Sequence, residues 1–277
     1  MADNVLRWSS LGVRAASILG VPVEWLKNAL AFHPNPVLHT SPEAYGLPYE
    51  EVWFGGRDGR TLHGWYIPSL KQSSGSSELL FLWFHGNAGN IAHRLAQLHL
   101  LYQRVGGDHF LFDYQGFGKS CGKPTLSGIL ADGRDAVALV RSRGWATGKR
   151  LVYFGESLGC AVIVELAVER SPDRIILSAP FYSLRAMGQL VLPALAFLVD
   201  GDLNSARWIG QLRVPLLVIH GTADGTVPFQ QGQALYALAP HPKVFLTVPG
   251  GGHTDLHEVG GDAYLRVMRD FVMGPAA

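Results

Sequence analysis

Cysteine is scarce in this chain: of 277 residues only Cys121 and Cys160 carry a thiol, and neither has a partner at metal-ligand spacing. That shortage excludes a disulfide scaffold and a cysteine-built metal centre, and it suits a reducing compartment. Both thiols are expected to act as small hydrophobes. An excess of one charge is missing too, with Lys+Arg 23 against Asp+Glu 22. Nothing therefore draws the chain to nucleic acid, and the preferred substrate is expected to carry little charge. Charged residues make up 16% and apolar ones 48%, too little charge for disorder and enough apolar surface for a sizeable core. The third absence is a long apolar run. Across residues 1–32 the charges Asp3, Arg7, Arg14, Glu24 and Lys27 interrupt the sequence, and residues 15–23 contain Gly20 and Pro22. This stretch falls far short of the ~20 residues of a spanning helix, and no small-x-small cleavage site follows it. Residues 1–32 read as an amphipathic helical arm packed on the domain, with peripheral membrane contact as its other role. The chain is expected in the cytoplasm.

No repeat or low-complexity tract divides the interior, so residues 33–277 are expected to form a single α/β domain. From residue 50 onward β-like and helix-like segments alternate, the pattern of a largely parallel sheet covered on both faces. Segments 51–54 and 61–67, separated by Gly55-Gly56-Arg57-Asp58-Gly59, read as an antiparallel opening pair. Further strands are expected at 78–84, 108–113, 150–154, 174–178, 214–220 and 243–248. Helices are expected at 91–104, 126–143, 160–167, 229–238 and 256–273, and the serine-rich segment 69–77 as an exposed loop.

Between the strand at 150–154 and the apolar run from Cys160 stands Gly155-Glu156-Ser157-Leu158-Gly159. Strand, tight turn and helix in that order present a serine on a strained turn whose flanking residues must be small. The helix behind it aims unpaired N–H groups at the same spot, ready for developing negative charge. A serine hydroxyl still needs a base and an acid that orients the base. Asp224 follows the strand at 214–220, and His253 follows Gly250-Gly251-Gly252 after the strand at 243–248. Loops at the carboxyl ends of neighbouring parallel strands converge on one crevice, so Ser157, Asp224 and His253 can meet there. Asp255, Asp200 and Asp202 are rival acids; a side chain two residues from His253 would orient its ring poorly. Two oxyanion donors are expected, the N–H of Leu158 and that of Asn87 in His85-Gly86-Asn87-Ala88-Gly89-Asn90. Asp113-Tyr114-Gln115-Gly116-Phe117-Gly118-Lys119-Ser120 ends like a phosphate loop, but Asp113 stands where that motif needs glycine. It reads as a structural loop, with Tyr114 lining the site.

These motifs resemble the α/β-hydrolase superfamily over residues 45–275. Within it they are similar to small serine hydrolases with an HGNAGN loop, related to α/β-hydrolase-domain proteins that include depalmitoylating enzymes. The resemblance implies an α/β-hydrolase fold with a central, mostly parallel eight-stranded sheet, and ester or thioester hydrolysis without metal or organic cofactor. A short cap insertion is expected at about 181–212, where Phe181 and Tyr182 would join Tyr114 at the pocket mouth. The uncharged segment 187–199 reads as a core-packing helix broken at Pro193, or as an apolar wall for an acyl chain. The function expected is hydrolysis of small acyl esters through an acyl-enzyme. Thioester or peptide hydrolysis by the same triad is the alternative, and a non-catalytic protein that binds an apolar ligand is the reading from another class.

Overall fold

The computed structural model describes residues 28, 31–55, 59–69, 78–191, 193–199, 201 and 203–275. Most of the arm expected at 1–32, most of the 69–77 loop, and Asp200 and Asp202 lie outside the described residues.

The sheet grows from the apolar run Leu79-Leu80-Phe81-Leu82-Trp83-Phe84, every residue of which is buried. A strand apolar on both sides must be covered on both sides. Leu80, Leu82 and Phe84 face one core with Ile129, Val137 and Val162, whereas Leu79, Phe81 and Trp83 face the other with Leu95, Leu98 and Met268. Eight strands form the main sheet: β1 (Glu50–Gly55), β2 (Thr61–Ile67), β3 (Leu79–Phe84), β4 (Asp108–Phe112), β5 (Arg150–Glu156), β6 (Arg174–Ser178), β7 (Leu216–Gly221) and β8 (Lys243–Val248). Their spatial order is β8-β7-β6-β5-β3-β4-β2-β1. β2 runs antiparallel to both of its neighbours, and the remaining pairs are parallel. The eight-stranded, mostly parallel sheet expected from the sequence is therefore present.

Helices α1 (Leu95–Arg104) and α7 (Leu256–Met273) cover one face; α2 (Leu126–Ser142) and α3 (Leu158–Glu169) cover the other. Helix α3 is buried almost all round, as a helix apolar on every side must be. Register then sets where the loops emerge. Phe84 pairs with Gly155, Glu156 with Ser178, Ser178 with Ile219, and Val248 with Gly221. The carboxyl ends of β3, β5, β6, β7 and β8 thus line up along one edge.

Two features depart from the sequence reading. Within 187–199 the break at Pro193 is present, between α4 (Leu184–Val191) and a tight helical turn at Pro193–Val199. α4 nevertheless has no buried residue, and Leu190 and Val191 are exposed. Only its inner edge, Leu184 and Met187, rests on the core, so it is a surface helix rather than a core one. After it come α5 (Ser205–Trp208) and, beyond β7, α6 (Phe229–Leu238). The second departure is a short parallel pairing of His33–Pro34 with Ala88–Gly89, ahead of all the expected strands. No helix among the described residues is long and apolar enough to cross a membrane.

Candidate active site

β5 ends at Glu156 and α3 begins at Leu158, so Ser157 alone makes the turn, at φ 50 and ψ −110. Positive φ in a residue with a Cβ costs about 1–3 kcal/mol and persists only where the surroundings enforce it. They do so here by crowding. A Cβ on Gly159 would stand 1.9 Å from the carbonyl oxygen of Phe84, and one on Gly155 would stand 2.9 Å from the Cys160 nitrogen. The Ser157 N–H donates to Ser178 O at 2.9 Å, and Ser157 O accepts from the Cys160 N–H at 3.0 Å. The expected small flanking residues are thus required by the approach of strand and helix backbones. Beneath the turn the buried Cys160 thiol lies 3.2 Å from Gly155 O and 3.3 Å from Ser178 O, so it acts as a donor as well as a hydrophobe. Cys121 is exposed, so only one of the two thiols is packed away as a small hydrophobe.

The acid and base loops meet as the strand register predicts. His253 Nδ1 lies 2.8 Å from Asp224 Oδ2. The other carboxylate oxygen, Oδ1, accepts from the N–H groups of Thr226 and Val227, both at 2.8 Å. Burial pushes the Asp224 carboxyl up, but hydrogen bonds with His220 and His253 and from the Val227 N–H outweigh it and hold the group well below the usual carboxylate range. The two loops are joined backbone to backbone: Ala223 N–H donates to Gly251 O at 2.9 Å, and Thr222 N–H to Val248 O at 3.1 Å. A Cβ on Gly221 would stand 2.1 Å from Gly251 O. Close packing of the loops, beyond mere freedom of the chain, is what these glycines supply. The rival Asp255 turns back on its own loop, accepting from Gly252 N–H at 2.7 Å.

The loop after β3 is tied down from the opposite side. His33 N–H donates to Asn87 O at 2.8 Å, Asn35 N–H to Gly89 O at 3.0 Å, and Asn87 Nδ2 to Ala31 O at 3.2 Å. The Asn87 side chain is thus engaged with the incoming chain, which leaves its backbone N–H as the donor to consider. His85 is buried, and burial holds its imidazole well below the usual range, so it is neutral. Its Nδ1 lies 2.7 Å from Gly86 O and must carry the proton, because the partner can only accept. A trans peptide points its N–H opposite its C=O, so pinning Gly86 O aims the Asn87 N–H the other way. Leu158, first in α3, has an N–H without an intrahelical acceptor.

Ser157, His253, Gly86 and Asn87 line one cleft of about 690 Å³. Tyr114, Phe181 and Tyr182 do not line it. Tyr114 is fully buried among Phe112, Phe117 and His85, and Phe181 is buried in the same core. Tyr182 is exposed, its N–H held by Gln231 Oε1 at 3.0 Å. The Asp113 to Ser120 loop has the structural role expected of it: Ser120 Oγ donates to Asp113 O at 2.7 Å and accepts from His63 N–H at 2.9 Å. Two relationships escaped the sequence reading. His220 Nε2 approaches Asp224 Oδ2 at 3.3 Å, and Arg94 Nε pairs with Glu156 Oε2 at 3.0 Å in the cleft. His-Gly at the end of β7, four residues ahead of the acid, was the available signal for the first; the second had none.

Comparison with known proteins agrees with this architecture. Residues 75–208 match the family model described as serine aminopeptidase, S33. The chain is 35% identical over 229 residues to the protein YfhR of Escherichia coli, covering 81% of this chain and 80% of that one. It is 32% identical over 253 residues to the alpha/beta hydrolase domain-containing protein WAV2 of Arabidopsis thaliana, covering 84% of this chain and 81% of the relative. An esterase of Pyrococcus furiosus has the same fold, with a TM-score of 0.73 at 19% identity over 89% of this chain and 99% of the esterase.

Proposed function

Because this chain belongs to the α/β-hydrolase family, with relatives above 30% identity along most of its length, we propose that it is a serine hydrolase acting on carboxylic esters through an acyl-enzyme. The observation that carries this reading is the 2.8 Å contact between His253 Nδ1 and Asp224 Oδ2 at a cleft that also contains Ser157 on its strained turn. With Nδ1 donating to the carboxylate, His253 Nε2 is left as the base. His253 takes the Ser157 proton as Oγ attacks the acyl carbon, and the N–H groups of Leu158 and Asn87 hold the oxyanion. Asp224 stabilises the imidazolium, which then gives its proton to the departing alcohol. Water activated by His253 cleaves the acyl-enzyme, releasing the acid and restoring Ser157. Each oxyanion donor contributes ~3 kcal/mol to such a transition state.

The test is turnover of p-nitrophenyl acetate together with fluorophosphonate labelling of the wild type and of Ser157→Ala. The variant is expected to lose both while its circular dichroism is unchanged. Labelling or turnover that survives the substitution would overturn the reading. The serine aminopeptidase family model favours a second reading, hydrolysis of peptide bonds by the same residues. Rates on ester and amide substrates with the same acyl group separate the two.

A further inference from the structure

Glu156 closes β5 immediately before the nucleophile and has no part in the mechanism above, yet it faces the same cleft as Ser157. Its Oε2 pairs with Arg94 Nε at 3.0 Å, and both side chains are mostly buried. Arg94 is itself anchored, because Nη1 donates to Ala88 O at 2.9 Å and to Asn90 O at 3.1 Å. Its other amino group, Nη2, lies 3.3 Å from the point that a Cβ on Gly86 would occupy, and that point is 3.6 Å from Ser157 Cβ. A guanidinium edge and the nucleophile's Cβ therefore flank the same glycine, no more than about 7 Å apart. Among the described residues neither Nη2 nor Glu156 Oε1 has a hydrogen-bond partner.

The rest of the cleft wall is mixed: Asn35, His93, Gln97, Thr254 and His257 contribute polar atoms, and their carbon atoms together with Ala88, Ala96 and Leu256 contribute apolar surface. The apolar residues exposed on α4, and the aromatic rings of Tyr114 and Phe181, are elsewhere. An alkyl chain laid along this wall would strip water from a charged pair and from several polar side chains and return nothing to them. A group that both accepts and donates would do better, accepting from Nη2 and donating to Oε1. Since the pair is neutral as a whole, the fitting group is uncharged.

We propose that the cleft selects short acyl esters bearing an uncharged hydrogen-bonding group, an amide or a hydroxyl, next to the scissile carbonyl, and disfavours long alkyl chains. This substrate class rests on the ester-hydrolase reading above. Arg94 and Glu156 are its specificity-determining residues.

The test uses p-nitrophenyl esters of acetate, butyrate, octanoate and N-acetylglycine, each rate divided by the spontaneous hydrolysis rate of that ester. The wild type is expected to show kcat/KM for the N-acetylglycine ester about tenfold above butyrate, and octanoate about tenfold below it. Glu156→Leu is expected to erase the amide preference and raise octanoate relative to butyrate, whereas Glu156→Gln, which keeps an acceptor, retains the wild-type order. A wild-type rate that climbs with chain length overturns the proposal, as does an amide preference that Glu156→Leu leaves untouched. The wild-type series is decisive by itself should the leucine variant fail to fold. Failure of the parent reading looks different: no ester is turned over and fluorophosphonate leaves Ser157 unlabelled.

Discussion

His220 Nε2 lies 3.3 Å from Oδ2 of Asp224, the oxygen that His253 Nδ1 also reaches, at 2.8 Å. The same Nε2 is 3.0 Å from Val227 O, so both of its neighbours are acceptors and Nε2 holds its proton. His220 thereby draws negative charge away from the carboxylate that faces His253. In His220→Leu the carboxylate loses a restraint, and kcat should fall about tenfold as Asp224 and with it His253 are held less firmly. His220→Gln, whose amide can donate, should recover part of the loss. Steady-state rates of p-nitrophenyl acetate turnover for the three proteins would show a purely packing role as an equal loss in both variants.

Gly221 offers a test of how closely the acid and base loops must pack. A methyl group there would stand 2.1 Å from Gly251 O and would drive the loops apart. Gly221→Ala is expected to lower kcat about a hundredfold through misplacement of His253. A loss of about 2 kcal/mol in stability should accompany it. Thermal melts and steady-state rates on one preparation would separate the two effects.

The turn at Ser157 stores strain, and glycine would release it. Ser157→Gly should be inactive yet more stable than Ser157→Ala by about 1 kcal/mol, since only the alanine keeps a Cβ at φ 50. Equal denaturant midpoints for the two variants would mean that the backbone there is not strained.

Asp113 carries a pH dependence of opposite sign to that of Asp224. Burial pushes its carboxyl up to about 8, against the hydrogen bond from Ile91 N–H and the nearby Arg94. An unfolded aspartate ionises near ~4, so between these values the folded chain holds a proton that the unfolded chain releases. This group's contribution to stability is present below ~4 and lost as pH rises toward the folded value. Asp224, with its depressed value, contributes above ~4 and loses that contribution as pH falls further. Asp113→Asn should therefore flatten the decline in urea midpoint between pH 5 and 8. An identical decline in both proteins would remove Asp113 as its source.

What the sequence disclosed was whatever repeats at short range. The run from Leu79 to Phe84 could only be a strand buried on both faces, and the glycines around Ser157 could only mark a turn without room for side chains. Strand order and register then placed the loops of Asp224 and His253 beside each other. Tyr114 and Phe181 misled because an aromatic residue just past a strand looks the same whether it lines a cleft or fills a core. Tyr114 packs on His85 at the end of a different strand, and Phe181 joins the same core, so their burial is decided by chain that local pattern does not bring near. The Arg94 to Glu156 pair spans 62 residues and joins the helical turn before α1 to the end of β5, so no spacing rule announces it.

The bonds from His33 and Asn35 to the loop after β3 have a bearing on how this site comes into being. That loop borrows its outer hydrogen bonds from chain lying more than fifty residues earlier. None of the pairing partners of β3 and β5 lies in that early segment, whereas the loop carrying the Asn87 N–H is held by it. Shortening the chain from its beginning should therefore extinguish turnover before it melts the sheet, with the boundary falling between Ala31 and Asn35.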